Sequence, residues 1–196
     1  MLREGADIID VGGESTRPGF AAVSAEEEKR RVLPVIRALR EAGIRAPISI
    51  DTYKAETARE AVEAGATILN DIWGLQRDEA MGAVAAQSGY PIVLMHNRTE
   101  AVYANFIHDV VSDLEETVRR ALRFGIREEQ IILDPGIGFA KTYEQNLQLM
   151  NELDRIAALG YPVLLGTSRK SMIRTTLNLP PDDVVEGTAA TVALGI

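Results

Sequence analysis

The chain has 196 residues, of which 46% are apolar and 26% charged, a balance that fits one soluble globular domain with a sizeable core. Its formal net charge of −8 disfavours nucleic acid and anionic membrane surfaces as partners, because both require a cationic face. It has no cysteine and only two histidines, His96 and His108, which excludes disulfides, thiolate nucleophiles and multi-histidine metal sites and fits a reducing cytoplasm.

Asp7, Asp10 and Glu14 leave no hydrophobic signal core at the N-terminus, and no apolar run approaches the ~18 residues of a membrane span. The first predicted element is a buried strand, Ile8–Val11, that ends in Gly12-Gly13 and delivers a loop, Glu14-Ser15-Thr16-Arg17-Pro18-Gly19. Ser15, Thr16 and Arg17 can hold an anion, and Pro18 stiffens the loop.

Ser24-Ala25-Glu26-Glu27 has capping-box spacing and opens a helix from Ala25 to Ala42, ended by Gly43. Pro47–Asp51 reads as the next strand, and Lys54–Ala64 as a helix stopped by Gly65. A short apolar strand, Ala66–Asn70, precedes a helix across Asp78–Gln87, and Pro91–His96 is the fourth strand. Asn97–Asn105 reads as a loop and His108–Phe124 as an amphipathic helix. The strand Gln130–Asp134 breaks at Pro135-Gly136, a helix spans Tyr143–Leu159, and Tyr161–Gly166 is the sixth strand. Ser168–Asn178 and Val184–Ile196 read as helices on either side of Pro180-Pro181. Strands alternating with helices predict consecutive right-handed βαβ units around a parallel sheet. No linker or charge block divides residues 1–196, so a single domain is expected.

In parallel α/β sheets ligands sit at the carboxyl ends of the strands. Here those ends are polar throughout: Asp10 with the Ser15-Thr16-Arg17 loop, Asp51, Asn70-Asp71, His96-Asn97, Asp134, and Ser168-Arg169-Lys170. Asp51 and Asn70 are open to two readings, as caps of the helices that follow or as site groups. In Asp134-Pro135-Gly136-Ile137-Gly138-Phe139 the glycines permit close backbone approach and Phe139 can stack on a planar ring. Lys170 and Ser171 stand at a predicted helix N-terminus, a position suited to carboxylate or phosphate. His96, His108 and Trp73 read first as packing or loop residues. Together these ends offer acids and an amide for a nitrogen-rich heterocycle, and cations for anionic groups.

The segments GGESTRPG at Gly12–Gly19, SID at Ser49–Asp51, NDI at Asn70–Ile72, LMHN at Leu94–Asn97, DPGIGF at Asp134–Phe139 and TSRKS at Thr167–Ser171 resemble dihydropteroate synthases, in that family's order. The resemblance implies a TIM (β/α)8 barrel, with six of its eight strands expected in this chain. It also implies an enzyme of folate biosynthesis that joins 4-aminobenzoate to 6-hydroxymethyl-7,8-dihydropterin diphosphate, releasing diphosphate with the help of Mg2+. By the same resemblance Asp51, Asn70, Asp134 and Lys170 line the pterin pocket, with Met95 and Phe139 near the ring. Thr16 and Arg17 meet the diphosphate and shape the aminobenzoate site, while Ser171 contacts the aminobenzoate carboxylate. Asp51, Asp134, Lys170 and Arg17 are the expected catalytic set. The chain begins just before the family's second strand and stops before its eighth, so the family's Mg2+ ligand is expected upstream of Met1. A homodimer is implied for the intact protein, with small-molecule substrates as the other partners. A pterin-dependent methyltransferase would share Asp51, Asn70 and Asp134 but not the STRPG and SRKS segments, and a non-catalytic pterin-binding fragment is the remaining alternative.

Overall fold

A computed structural model describes residues 1–15, 21–180 and 182–196. Five parallel strands, β1 (Ile9–Gly12), β2 (Ile48–Asp51), β3 (Ile68–Asp71), β4 (Ile92–Met95) and β5 (Ile131–Asp134), form one sheet in the order of the chain. Doubly wound sheets reverse their strand order partway, whereas barrels add each strand beside the last. The uninterrupted order here makes the sheet an arc of a TIM barrel.

Helices α1 (Ala25–Glu41), α2 (Ala55–Ala64), α3 (Ala80–Ser88) and α4 (Phe106–Arg123) connect successive strands, and α1 packs on α2 as α2 packs on α3. α5 (Tyr143–Asn151), α6 (Leu153–Ala157), α7 (Ser171–Leu177) and α8 (Val185–Leu194) follow β5. The Ser24 side chain accepts the Glu27 amide at 3.2 Å, the cap that its spacing predicted. One acid, Asp78, serves two helix starts: its Oδ2 accepts the Ala55 amide at 2.8 Å and its Oδ1 the Ala80 amide at 3.0 Å.

The strand alternation sorts side chains to two faces. Ile48, Ile50, Leu69, Ile92, Leu94, Ile131 and Leu133 point to the helices and join the main apolar core. Their neighbours Ser49, Asp51, Ile68, Asn70, Val93, Met95, Ile132 and Asp134 therefore face the barrel interior, outside that core. Burying each outward Ile or Leu is worth about 1.5–3 kcal/mol, so a one-residue slip that would turn Asp51 or Asp134 outward is strongly resisted.

Two expectations are corrected. The predicted sixth strand, Tyr161–Gly166, is a single parallel bridge between Leu133 and Val163, which leaves five strands among the described residues instead of six. The Leu133 amide donates to the Pro162 carbonyl at 2.9 Å and the Leu164 amide to the Leu133 carbonyl at 2.8 Å. Pro162 has no N–H to extend the ladder. The predicted helix Tyr143–Leu159 divides at Glu152, where φ is −118° and ψ 27°, just after Asn151, a residue type that competes with helical hydrogen bonds.

Candidate active site

The inward residues at the strand ends converge. Asp51 pairs with Asn70 across β2 and β3, and Met95 pairs with Asp134 across β4 and β5. Gly12 of β1 lies opposite Asp51, and a Cβ there would come within 3.4 Å of the Asp51 carboxylate, so the glycine keeps the acid's flank open.

Asp51 has one side-chain oxygen, Oδ1, that is buried with no hydrogen-bond partner among the described residues. Burial, followed by the nearby charges of Asp10, Glu28, Asp71 and Glu14, raises its pKa to about 7. Such a group is costly unless something completes it. Asp134 is buried too; its Oδ1 accepts the Gly136 amide at 2.7 Å. Burial raises its pKa to about 6, held back by that amide and by the charges of Lys170 and Lys141.

The turn after β5 carries the rest. Gly136 has φ +73°, and a Cβ on it would meet the His96 carbonyl oxygen at 2.0 Å. The Gly138 amide donates to Asn146 Oδ1 at 2.6 Å, which ties the turn to α5. Lys170 Nζ sits 4.4 Å from the centre of the Phe139 ring, so the cation and the aromatic face come to the site as a pair. Ser171 is exposed as the first residue of α7.

Of the expected site residues, the structure thus brings together Asp51 with Asn70, Met95 with Asp134, and Phe139 with Lys170. Thr16 and Arg17 lie outside the described residues. The described residues contain no cluster of three or more carboxylate, imidazole or thiolate groups arranged for a cation. No step below is routed through magnesium.

Three features have partners and roles that the sequence did not show. Asp10 shares the inward face of β1 with Gly12, and burial raises its pKa against hydrogen bonds from Ser49 and Asn70. Its surface is nevertheless exposed, so surrounding atoms only partly desolvate the carboxylate. Strand alternation could have singled it out, since Ile9 and Val11 claim the opposite face. Asp71 is buried and accepts the Trp73 and Leu75 amides at 2.8 and 2.7 Å, which makes it the organiser of the β3 turn rather than a ligand group. Behind the β5 turn lies a chain of polar groups. His96 Nε2 is 3.0 Å from Asp113 Oδ2, and His96 Nδ1 is 2.9 Å from Lys141 Nζ. Burial lowers the His96 pKa to about 4, so the ring is neutral, donating from Nε2 and accepting at Nδ1. Burial also tends to raise Asp113, but hydrogen bonds from His96 and Arg98 outweigh it and hold the acid at about 2.

A family profile described as "Pterin binding enzyme" matches residues 1–196. The chain is 57% identical over 196 residues to a dihydropteroate synthase of Clostridium beijerinckii, covering all of this chain and 72% of the relative. It is 58% identical over 197 residues to that of Bacillus subtilis, covering 68% of it. The chain belongs to the dihydropteroate synthase family of pterin-binding enzymes. Among solved structures, a dihydropteroate synthase from Clostridium difficile crystallised in the presence of pteroic acid superposes with a TM-score of 0.96 at 45% identity, over 99% of this chain and 74% of that one. The Xanthomonas albilineans dihydropteroate synthase with 4-aminobenzoic acid gives 0.94 at 42% identity, over 99% and 71%. Among the described residues no helix is long and apolar enough to cross a membrane.

Proposed function

We propose that this chain binds a dihydropterin diphosphate at the Asp51, Asn70, Asp134 and Lys170 strand ends and joins its methylene carbon to the amine of 4-aminobenzoate. The observation that carries this reading is the buried, unpartnered Asp51 Oδ1 on the inward face, beside an amide and on the same face of the sheet as a buried acid, Asp134. A ring rich in N–H groups completes such a set, because carboxylates accept while Asn70 both accepts and donates. The ligands named for the Clostridium difficile and Xanthomonas albilineans structures are of the matching chemistry.

In the reaction the C–O bond to diphosphate breaks with its electron pair leaving on the diphosphate. The positive charge left on the methylene is delocalised over the electron-rich ring, and anionic Asp51 and Asp134 stabilise it. The amine nitrogen then donates its lone pair to that carbon and gives up one proton to solvent. Asp51, with a pKa of about 7, is driven to its anion by a bound ring N–H and by this developing charge. Phe139 offers the pterin a flat wall and Lys170 a donor for its oxygen. Arg17 and Thr16 act on the leaving diphosphate and on the aminobenzoate, and Ser171 on the aminobenzoate carboxylate. Magnesium belongs to this reading as a cation that would balance the charge of the leaving diphosphate. A cytoplasmic homodimer is part of it too, and the exposed Val185, Val192 and Leu194 of α8 are consistent with a partner surface.

The test is turnover by the intact protein with dihydropterin diphosphate, 4-aminobenzoate and Mg2+. Diphosphate release coupled to dihydropteroate formation is expected, and Arg17→Ala should lower turnover and raise the aminobenzoate KM while leaving binding of a pterin without diphosphate unchanged. Methyl transfer to an acceptor, with no diphosphate released, would contradict the assignment.

A further inference from the structure

Lys141 lies two residues beyond Phe139, and its side chain folds back onto the β5 turn. Its Nζ has three partners: the Gly136 carbonyl at 3.0 Å, the Phe139 carbonyl at 3.0 Å and His96 Nδ1 at 2.9 Å. An ammonium group has three N–H donors and no acceptor, so three convergent acceptors match it one for one. The imidazole offers a lone pair at Nδ1 because Asp113 takes the proton-bearing Nε2. Arg98 Nε in turn donates to Asp113 at 2.7 Å, Arg98 Cζ lies 4.4 Å from the centre of the Tyr103 ring, and the Tyr103 hydroxyl donates to the Ala140 carbonyl at 2.9 Å. The network therefore closes on the turn from both sides. Ala140 is held at φ +43°, a conformation that an alanine keeps only when its surroundings fix it.

What the bracket holds is the site's own backbone. The Gly136 amide binds Asp134, Phe139 carries Lys170 on its ring face, and a Cβ on Gly138 would lie 3.0 Å from the Lys170 stem. We propose that Lys141 is a positioning residue for the pterin site: its bracket on Gly136, Phe139 and His96 fixes the turn in the shape that presents Asp134, Phe139 and Lys170 to the ring. This inference rests on the pterin reading above. Burial lowers the Lys141 pKa to about 7, against the charges of Asp134 and Asp113 and with those of Arg98 and Lys170, so the ammonium with its full set of three donors predominates below that pH.

The test titrates 7,8-dihydropterin, without diphosphate, into the intact protein and two variants by calorimetry. Lys141→Met keeps the aliphatic stem and deletes all three donors, while Ile36→Ala opens a cavity in α1 and serves as the control for lost stability alone. The expected result is a loss of affinity of about tenfold or more in Lys141→Met and none in Ile36→Ala. The His96 Nδ1 resonance should also move in Lys141→Met as it loses its donor. Should that variant not fold, Asp113→Asn, which leaves Lys141 in place and loosens the imidazole, must lower affinity in the same direction. Wild-type affinity in a folded Lys141→Met would overturn the positioning role while leaving the pterin reading intact. A wild-type protein that does not bind dihydropterin would instead overturn the pterin reading and this inference with it.

Discussion

Asp51 and Asn70 share a rung between β2 and β3, which sets an acid with one unpartnered oxygen beside an amide that can both donate and accept. Neither is needed to hold the helices that follow. The start of α2 is capped by Asp78 from a later segment, and the turn after β3 is held by Asp71, which leaves the capping of those helices to other residues than Asp51 and Asn70. Asn70→Ala should weaken dihydropterin binding by roughly 1–3 kcal/mol, the usual cost of leaving a buried partner unsatisfied. Calorimetry with wild-type affinity in the variant would remove Asn70 from the site.

Asp51 should also be visible as a pH dependence of stability. Its folded pKa of about 7 lies above the ordinary value of 3.8, so the native state keeps a proton that the unfolded chain has already lost. Stability is therefore reduced progressively as pH rises from about 4 to 7, and stays reduced above that. Asp51→Asn removes the charge, so its stabilisation relative to wild type should be near zero at pH 4, grow through this window and reach on the order of 2–4 kcal/mol at pH 8. Urea midpoints at the two pH values measure it. A difference that does not change with pH would show that the carboxylate is not held against its charge.

His96 predicts the opposite slope. Its folded pKa of about 4 lies below the ordinary 6.5, so on acidification the unfolded chain takes up the proton first. Its contribution is complete above about pH 6.5 and is lost as pH falls toward 4. His96→Gln should flatten the acid limb of the stability profile between these values. An acid limb as steep as that of wild type would place the neutral imidazole elsewhere.

Gly136→Ala should be the most damaging single methyl in the site. The added Cβ would stand 2.0 Å from the His96 carbonyl oxygen in a backbone already at φ +73°. The clashing atom is backbone rather than the end of a flexible side chain, so a loss of roughly 3 kcal/mol or more is expected, read as a fall in Tm of many degrees. Gly43→Ala is the comparison: it has φ +77° with nothing within 4 Å, so it should cost about 1 kcal/mol from backbone strain alone.

The strands, their order and the inward acids were legible because period-2 alternation and strand-end polarity are local signals. Asp51, Asn70 and Asp134 each follow an apolar run at a position where the alternation turns inward. The Lys141 bracket was not legible, since two of its acceptors are backbone carbonyls and the third, His96, is 45 residues away. His96 was expected in a packing role, and that is where it sits, but its partners Asp113 and Lys141 come from α4 and from the turn after β5, a neighbourhood only the barrel creates. The sixth strand was overread: Val163-Leu164-Leu165 has the composition of a buried strand, yet its ladder ends at one bridge beside Pro162. The split of the helix after β5 had no signal beyond a weak helix former at Asn151.

The most direct measurement is a crystal structure of the intact protein with bound dihydropterin. The ring should lie on the inward face between Asp51, Asn70, Asp134 and Lys170, with a ring N–H within about 3.2 Å of Asp51 Oδ1 and Phe139 against its plane. Clear density for the ring elsewhere, with Asp51 Oδ1 still unpartnered, would contradict the site.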